Sequence, residues 1–197
     1  MSLSPLQLAV ARDHSRPVEG DYFATDPAAI PPLVAAEPLG RSVWECCCGA
    51  GDLARPLEDA GIRVWASDKY DRGYGRTGAD VLAATVRAAP VIVTNPPYGD
   101  GFPIQLVRHA RKIGVRKVCL LLPMNWWDAA RRVDFLTTEC PPVRIWNFAG
   151  RLRMARNGDW QNTGNSPNRS YSWWVWDFSQ PPGPTVARVL RLERMKP

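Results

Sequence analysis

The sequence predicts an α/β fold, a mostly parallel sheet with helices on both faces and an antiparallel edge. Three observations carry this reading. Apolar runs rich in strand formers alternate with helical patterns over residues 42–137, a glycine turn joins the first such strand to the helix after it, and the last third breaks the alternation with two strands and no helix between them.

Taken in order, residues 1–20 show no clear period and read as an arm, with Arg12, His14 and Arg16 exposed. Asp26-Pro27 starts a helix over Ala28–Glu37, with a carboxylate at the N-cap and proline in the first turn. Ser42–Cys47 is a strand, Gly49-Ala50-Gly51 a turn and Leu53–Ala60 a helix that Gly61 ends; Arg63–Ser67 is a second strand with Asp68 at its carboxyl end. After the polar loop Asp71–Gly78, Ala79–Val81 reads as a short third strand and Leu82–Ala88 as a helix. Val91–Thr94 is a strand that ends at Asn95-Pro96-Pro97-Tyr98. Phe102–Ile113 is a helix, Lys117–Leu122 a strand, and Trp126–Thr137 mostly helical before Cys140-Pro141-Pro142. Val143–Phe148 and Tyr171–Phe178 then read as antiparallel neighbours joined by a polar loop of about 20 residues, a length that is usually functional or disordered.

A length of 197 residues fits one domain, and 45% hydrophobic with 22% charged residues is enough for a buried core. No run approaches the ~18 apolar residues of a membrane span, and Leu3–Ala11 is too weak for a signal peptide, so a soluble intracellular protein is expected. The five cysteines show no paired spacing, which argues against a disulfide framework. Cys46-Cys47-Cys48 is badly arranged for a tetrahedral zinc site, because adjacent strand side chains point to opposite faces, and both histidines stand far away in sequence; no metal is expected.

The net charge of +6 is unevenly spread: residues 101–170 hold twelve basic residues from Arg108 to Arg169 against Asp128, Asp134, Glu139 and Asp159. Such a half is a phosphate footprint or a set of solvated helix faces, and charge alone does not choose. Of the nine tryptophans, Trp174 and Trp176 alternate as core residues on one strand face would, whereas for Trp126-Trp127 packing and base stacking stand even.

Gly49-Ala50-Gly51 by itself serves many nucleotides and also plain strand-to-helix corners; it is not a P-loop and lacks the third glycine of the dinucleotide fingerprint. The order of acids adds weight. Glu45, Asp68 and Asp80 stand at or near successive strand ends, which converge on one crevice in a doubly wound sheet, where a carboxylate can accept both ribose hydroxyls. Asn95-Pro96-Pro97-Tyr98 is the sharpest feature. Its prolines hold the strand-end side chain and carbonyl outward, so that an amide oxygen, a carbonyl and a flat ring face a planar group carrying an exocyclic amine.

With these residues in place the sequence resembles the S-adenosylmethionine-dependent amino-methyltransferases that act on adenine in DNA, most closely the small phage and prophage members. The likeness runs over nearly the whole chain. Asp21–Pro27 resembles the family's amino-terminal cofactor motif, Glu45–Gly51 its glycine motif and Asn95–Tyr98 its catalytic motif; Ser67–Gly75 and Tyr171–Trp176 also look like the phage group. The resemblance implies a Rossmann-like methyltransferase fold with a seven-stranded sheet. It implies S-adenosylmethionine held by Tyr22, Phe23, Thr25, Glu45, Cys46, Gly49, Gly51, Asp68, Asp80, Val81 and Asn95, with Tyr22, Phe23 and Thr25 at the methionine end, Asp68 on the ribose and Asp80 on the adenine amine. Catalysis falls to Asn95, Pro96, Pro97 and Tyr98. The sequence departs from the family in having Cys46 where many adenine-directed relatives have proline, and in leaving no length for a separate target-recognition domain.

The expected reaction moves the sulfonium methyl to the adenine N6 amine of double- or single-stranded DNA, with Asn95 and the Pro96 carbonyl favouring a tetrahedral nitrogen and Tyr98 stacking on the base. A duplex would have to flip the base out. Residues 149–170 are the expected recognition loop, with Arg151, Arg153, Arg156 and Arg169 on DNA and Asn157, Trp160, Asn162 and Asn165 beside them, and Trp126 stands with the substrate contacts. A homodimer is left open, and the setting would be the cytoplasm of a bacterium or phage-infected cell. Adenine in RNA, a glutamine amide in protein, or a catalytically silent nucleic-acid-binding module are the competing readings.

Overall fold

The computed structural model describes residues 22–99, 101–161, 169–181 and 183–192; the expected arm at 1–20, Asn162 and Asn165 lie outside them. Nine strands are described: β1 (Phe23–Thr25), β2 (Ser42–Glu45), β3 (Arg63–Ala66), β4 (Val91–Thr94), β5 (Lys117–Pro123), β6 (Arg144–Ala149), β7 (Met154–Arg156), β8 (Tyr171–Asp177) and β9 (Val186–Arg191). Three α-helices join them: α1 (Ile30–Ala36), α2 (Ala54–Asp59) and α3 (Phe102–Lys112). None is long and apolar enough to cross a membrane.

Seven strands form one sheet in the order β3-β2-β4-β5-β8-β6-β9. β8 alone runs against the rest, antiparallel to both β5 and β6. β4, β5 and β8 are buried at every residue, which is why they read as continuous apolar runs rather than alternating ones. Side chains alternate between two cores. Val93, Cys119, Leu121, Trp173 and Val175 meet Ile30, Leu33 and Leu57 of α1 and α2, while Ile92, Leu120, Leu122, Trp174 and Trp176 meet Leu106, Val107 and Ala110 of α3. Asp26 caps the turn ahead of α1 by accepting from the Ala28 amide at 3.2 Å.

A buried charge cluster lies at the amino-terminal end of β5, the end of the sheet away from Asn95. Lys117 Nζ donates to Glu37 Oε2 at 3.0 Å and stands 3.3 Å from Asp177, while Arg144 and the Trp146 indole N–H also reach the Glu37 carboxylate. Burial raises the Glu37 carboxyl, but hydrogen bonds from Arg144, Trp146 and Lys117 outweigh it and hold the group below its ordinary value. Two cations thus match two carboxylates, and the residue ending α1 is tied to β5, β6 and β8.

Four sequence expectations change. Ala79–Val81 is not a strand, because Asp80 accepts from the Leu82 amide at 2.9 Å and turns the chain into a 3₁₀ turn; the strand edge carries instead a single parallel bridge from Ser67 to Arg76. Leu82–Ala88 is not a helix. None of residues 84–88 is buried, so the segment has no apolar stripe to hold against the core. Trp126–Thr137 is a series of 3₁₀ and π turns broken at Ala129, whose backbone is extended. The seventh strand of the sheet is β9, and the segment after β6 is not all loop, since β7 pairs antiparallel with β1.

Candidate active site

The carboxyl ends of β2, β3 and β4 bring the sequence-predicted acids and the Asn95 motif to one edge. Glu45, the last residue of β2, is fully buried. Its Oε1 accepts from the Thr94 hydroxyl and, at 3.3 Å, from the Cys47 amide, while Oε2 has no partner. Burial pushes the carboxyl up to about 8, and the Asp68 charge adds to this, so with no cation beside it the acid is mostly neutral at pH 7. Cys46 and Cys48 are also buried, and burial keeps both thiols neutral, Cys48 at about 12. Neither is poised as a thiolate.

Asp68 closes the glycine turn onto β3: Oδ2 accepts from the Gly49 amide and Oδ1 from the Tyr70 amide, both at 2.9 Å. The Ala79 amide donates to the Asp68 carbonyl at 3.0 Å, which places Asp80 beside it, 3.5 Å from Lys69 Nζ. Val81 is buried next to it.

The glycines are required by neighbouring rings. A Cβ on Gly49 would stand 3.3 Å from the Tyr22 ring, and one on Gly51 would run into the Tyr74 ring at 2.8 Å; both have positive φ, at 52° and 89°. The close approach that the glycines permit is made here by Tyr22 and Tyr74. Tyr74 is the site residue that sequence reasoning missed. It lay inside the Ser67–Gly75 likeness without a role, and it is held by a 3.1 Å hydrogen bond to Glu58 and by the Arg55 guanidinium 4.7 Å from its ring centre. Arg72 covers Tyr22 in the same way at 4.7 Å.

Asn95 follows β4, and both ends of its amide are held. Nδ2 donates to Thr25 Oγ1 at 2.8 Å, and Oδ1 accepts from the Tyr98 hydroxyl. Thr25 is buried and fixed by β1, whereas Phe23, two residues earlier, is 41% exposed. The Pro96 carbonyl accepts no hydrogen bond from the described residues. The Tyr98 ring rests 6.2 Å from that of Tyr171, and burial raises both hydroxyls. The Arg169 charge partly offsets this, so the last of the four predicted arginines stands near the catalytic motif.

The other predicted substrate residues separate. Arg153 Nε pairs with Asp26 at 3.1 Å and its guanidinium lies over Trp160, which gives it a structural task at the β1–β7 ribbon. Arg151 and Arg156 are exposed at and beside β7. Asn157 adopts a positive φ of 51° and exchanges hydrogen bonds with the Tyr22 backbone. Trp126 is corrected: it is 3% exposed and edge-on to Trp174 with ring centres 5.4 Å apart, so the core and not a ligand takes its face. Two apolar layers meet there, and turning the larger ring inward buries more surface than stacking could recover.

Neither a protein-family sequence profile nor a curated protein matches the chain in sequence. Solved structures do match in shape. The human methyltransferase 10 domain containing protein aligns over 89% of this chain and 95% of its own at 14% identity, with a TM-score of 0.54. A Pyrococcus horikoshii protein provisionally named an RNA methyltransferase aligns over 77% and 80% at 11% identity and 0.53, and a SAM-dependent O-methyltransferase from Thermotoga maritima over 79% and 66% at 11% and 0.50. The sheet order, the reversed strand β8 and these alignments agree that the chain has the fold of the S-adenosylmethionine-dependent methyltransferases.

Proposed function

We propose that the protein transfers a methyl group from S-adenosylmethionine to the exocyclic N6 amine of adenine in DNA. The observation that carries this is the Asn95 amide, fixed between Thr25 and Tyr98 at the end of β4 beside a Pro96 carbonyl with no protein donor. The residues fit the cofactor. The partnerless, buried Glu45 Oε2 at the mouth of the glycine turn suits the cationic methionine end, and Asp68 and Asp80 on neighbouring loops suit hydroxyl and amine donors.

When bound, the cofactor supplies an electrophilic methyl group. The chain's own part is positioning. An aromatic amine is a weak nucleophile because its lone pair is delocalised; acceptors at Asn95 Oδ1 and the Pro96 carbonyl draw its two hydrogens out of the ring plane and localise the pair. Thr25 keeps the Asn95 Nδ2 turned away, so that the oxygen faces the amine. Tyr98, with one hydrogen bond to that oxygen, sets its direction and leaves the oxygen's second lone pair for the substrate. No covalent enzyme intermediate is needed, in keeping with the neutral thiols of Cys46 and Cys48.

DNA is favoured over a protein amide by the basic surface of the second half, where Arg151, Arg156 and Arg169 are exposed. Replacing these three by glutamine, with Arg153 kept for its pair with Asp26, is expected to weaken duplex binding about 10-fold or more at 0.15 M salt. It should also flatten the salt dependence by up to about 0.9 for each phosphate no longer neutralised and leave cofactor affinity unchanged. Titration of labelled duplex at several salt concentrations checks this, and an unchanged slope would remove these arginines from the interface. The substrate class is tested by offering tritiated S-adenosylmethionine with duplex DNA, single-stranded DNA, RNA and a glutamine peptide. Label is expected in DNA; label confined to RNA or peptide would move the same chemistry to that substrate.

A further inference from the structure

We infer that Trp127 is the stacking surface for the nucleotide next to the target base; the inference rests on the nucleic-acid reading above. The residues after β5 leave the sheet at the same edge as Asn95, since β4 and β5 are neighbours. Pro123 at the end of β5 is paired with Tyr171, whose ring meets Tyr98, and the Met124 amide donates to the Ser170 carbonyl, next to Arg169, at 2.8 Å. The chain then splits two adjacent indoles. Trp126 turns into the core, while Trp127 is left 51% exposed, with Met124 beside it at 37%.

Trp127 is not loose. Its ring stands edge-on to Trp174 at 5.5 Å, and the preceding residue is clamped by Arg132, whose guanidinium lies 4.7 Å from the Trp126 ring centre and donates to the Trp126 carbonyl. An exposed, rigid indole is a base-stacking surface at low entropic cost, because little side-chain freedom is left to lose on binding. Beneath it, the indole N–H groups of Trp126 and Trp174 are buried without acceptors. Around it, Arg131, Arg132 and Arg169 take part in no ion pair among the described residues. A flat apolar face with unpaired cations matches a ring that carries a phosphate.

The distance selects which nucleotide. Trp174, under Trp127, lies three residues along β8 from Tyr171, about 10 Å at the rise of a strand. That is too far for the base held at Asn95 and within reach of its neighbour on the same strand. Base-edge hydrogen bonds are not needed for this contact, so it adds affinity and register without reading sequence.

The test uses the full chain and short adenine-containing DNA. Trp127→Ala should raise KM for DNA about 10-fold or more while leaving kcat and S-adenosylmethionine affinity at wild-type values, and Trp127→Phe should restore most of the loss. An abasic site placed on either side of the target adenine should weaken the wild type by a similar factor at one of the two positions and leave Trp127→Ala unaffected there. Equal losses in wild type and variant at both positions, or an unchanged KM, would overturn the inference while the methyltransferase reading stands. If the wild type methylates neither DNA nor RNA, both fall together.

Discussion

Asn95→Ala is expected to lower the methyl-transfer rate on DNA by about 10²–10³-fold while leaving S-adenosylmethionine affinity within about 3-fold of wild type. The rate estimate follows from losing one preorganised acceptor aimed at the charge that develops on the amine in the transition state. Affinity is spared because Thr25 and Tyr98, the two groups Asn95 touches, belong to other elements and stay in place. Releasing either end of the amide tests the positioning directly. Tyr98→Phe keeps the ring but removes the hydroxyl that fixes Oδ1, and Thr25→Val removes the acceptor that fixes Nδ2. Each should lower kcat by about 10-fold, since the oxygen remains but its direction is lost. Single-turnover transfer and calorimetric cofactor binding on the same preparations separate the two effects, and an Asn95→Ala enzyme as fast as wild type would remove the residue from the chemistry.

Glu45 carries the second large effect. Its carboxyl is raised from 4.5 to about 8 by burial, so the folded chain holds a proton there that the unfolded chain gives up. A cation placed against Oε2 favours the ionised form and expels that proton. Binding of S-adenosylmethionine at pH 7 should therefore release close to one proton, and the release should vanish above about pH 9, where the acid is already ionised. Glu45→Gln abolishes the release and weakens binding about 10- to 100-fold, the range for a hydrogen bond to a charged group. Calorimetry in two buffers of different ionisation enthalpy measures it.

The same shift has a stability consequence of fixed sign. The folded-state value lies above the unfolded one, so the wild type holds its full stability below about pH 4.5 and loses it as pH rises to about 8. Glu45→Gln has no such loss. The melting-temperature difference should open in favour of the variant between these limits and then level off; a difference that is flat with pH would mean that Glu45 is ionised throughout in the folded protein.

Sequence legibility followed how local each signal was. β4 came out as Val91–Thr94 to the residue because it is a short apolar run closed by prolines, and Asn95–Tyr98 was legible because those prolines fix the chain without outside help. β7 and β9 were not. Met154–Arg156 has three residues and a partner more than 120 positions away, and Val186–Arg191 follows prolines that read as loop and leaves Val189 two-thirds exposed. The acids at the strand ends were found by spacing, but what holds them was not: the bonds from Asn95 to Thr25 and from Gly49 to Asp68 join segments that only the fold brings together. Tyr74 and Tyr22 show the same limit from the other side. The pattern gave the glycines, and the rings that require them come from two distant loops. Trp126 and Trp127 are adjacent and identical in type, so no pattern could say which would turn inward; the turn set by Arg132 and Trp174 decided it.

The central claim is that the Asn95 amide delivers a methyl group to an adenine amine. The most direct measurement is nucleoside mass spectrometry of unmethylated DNA after incubation with S-adenosylmethionine and either the wild type or Asn95→Ala. N6-methyladenine with the wild type and almost none with the variant is the expected result. Cofactor bound by both proteins with no methylated adenine from either, or the same yield from both, would contradict it.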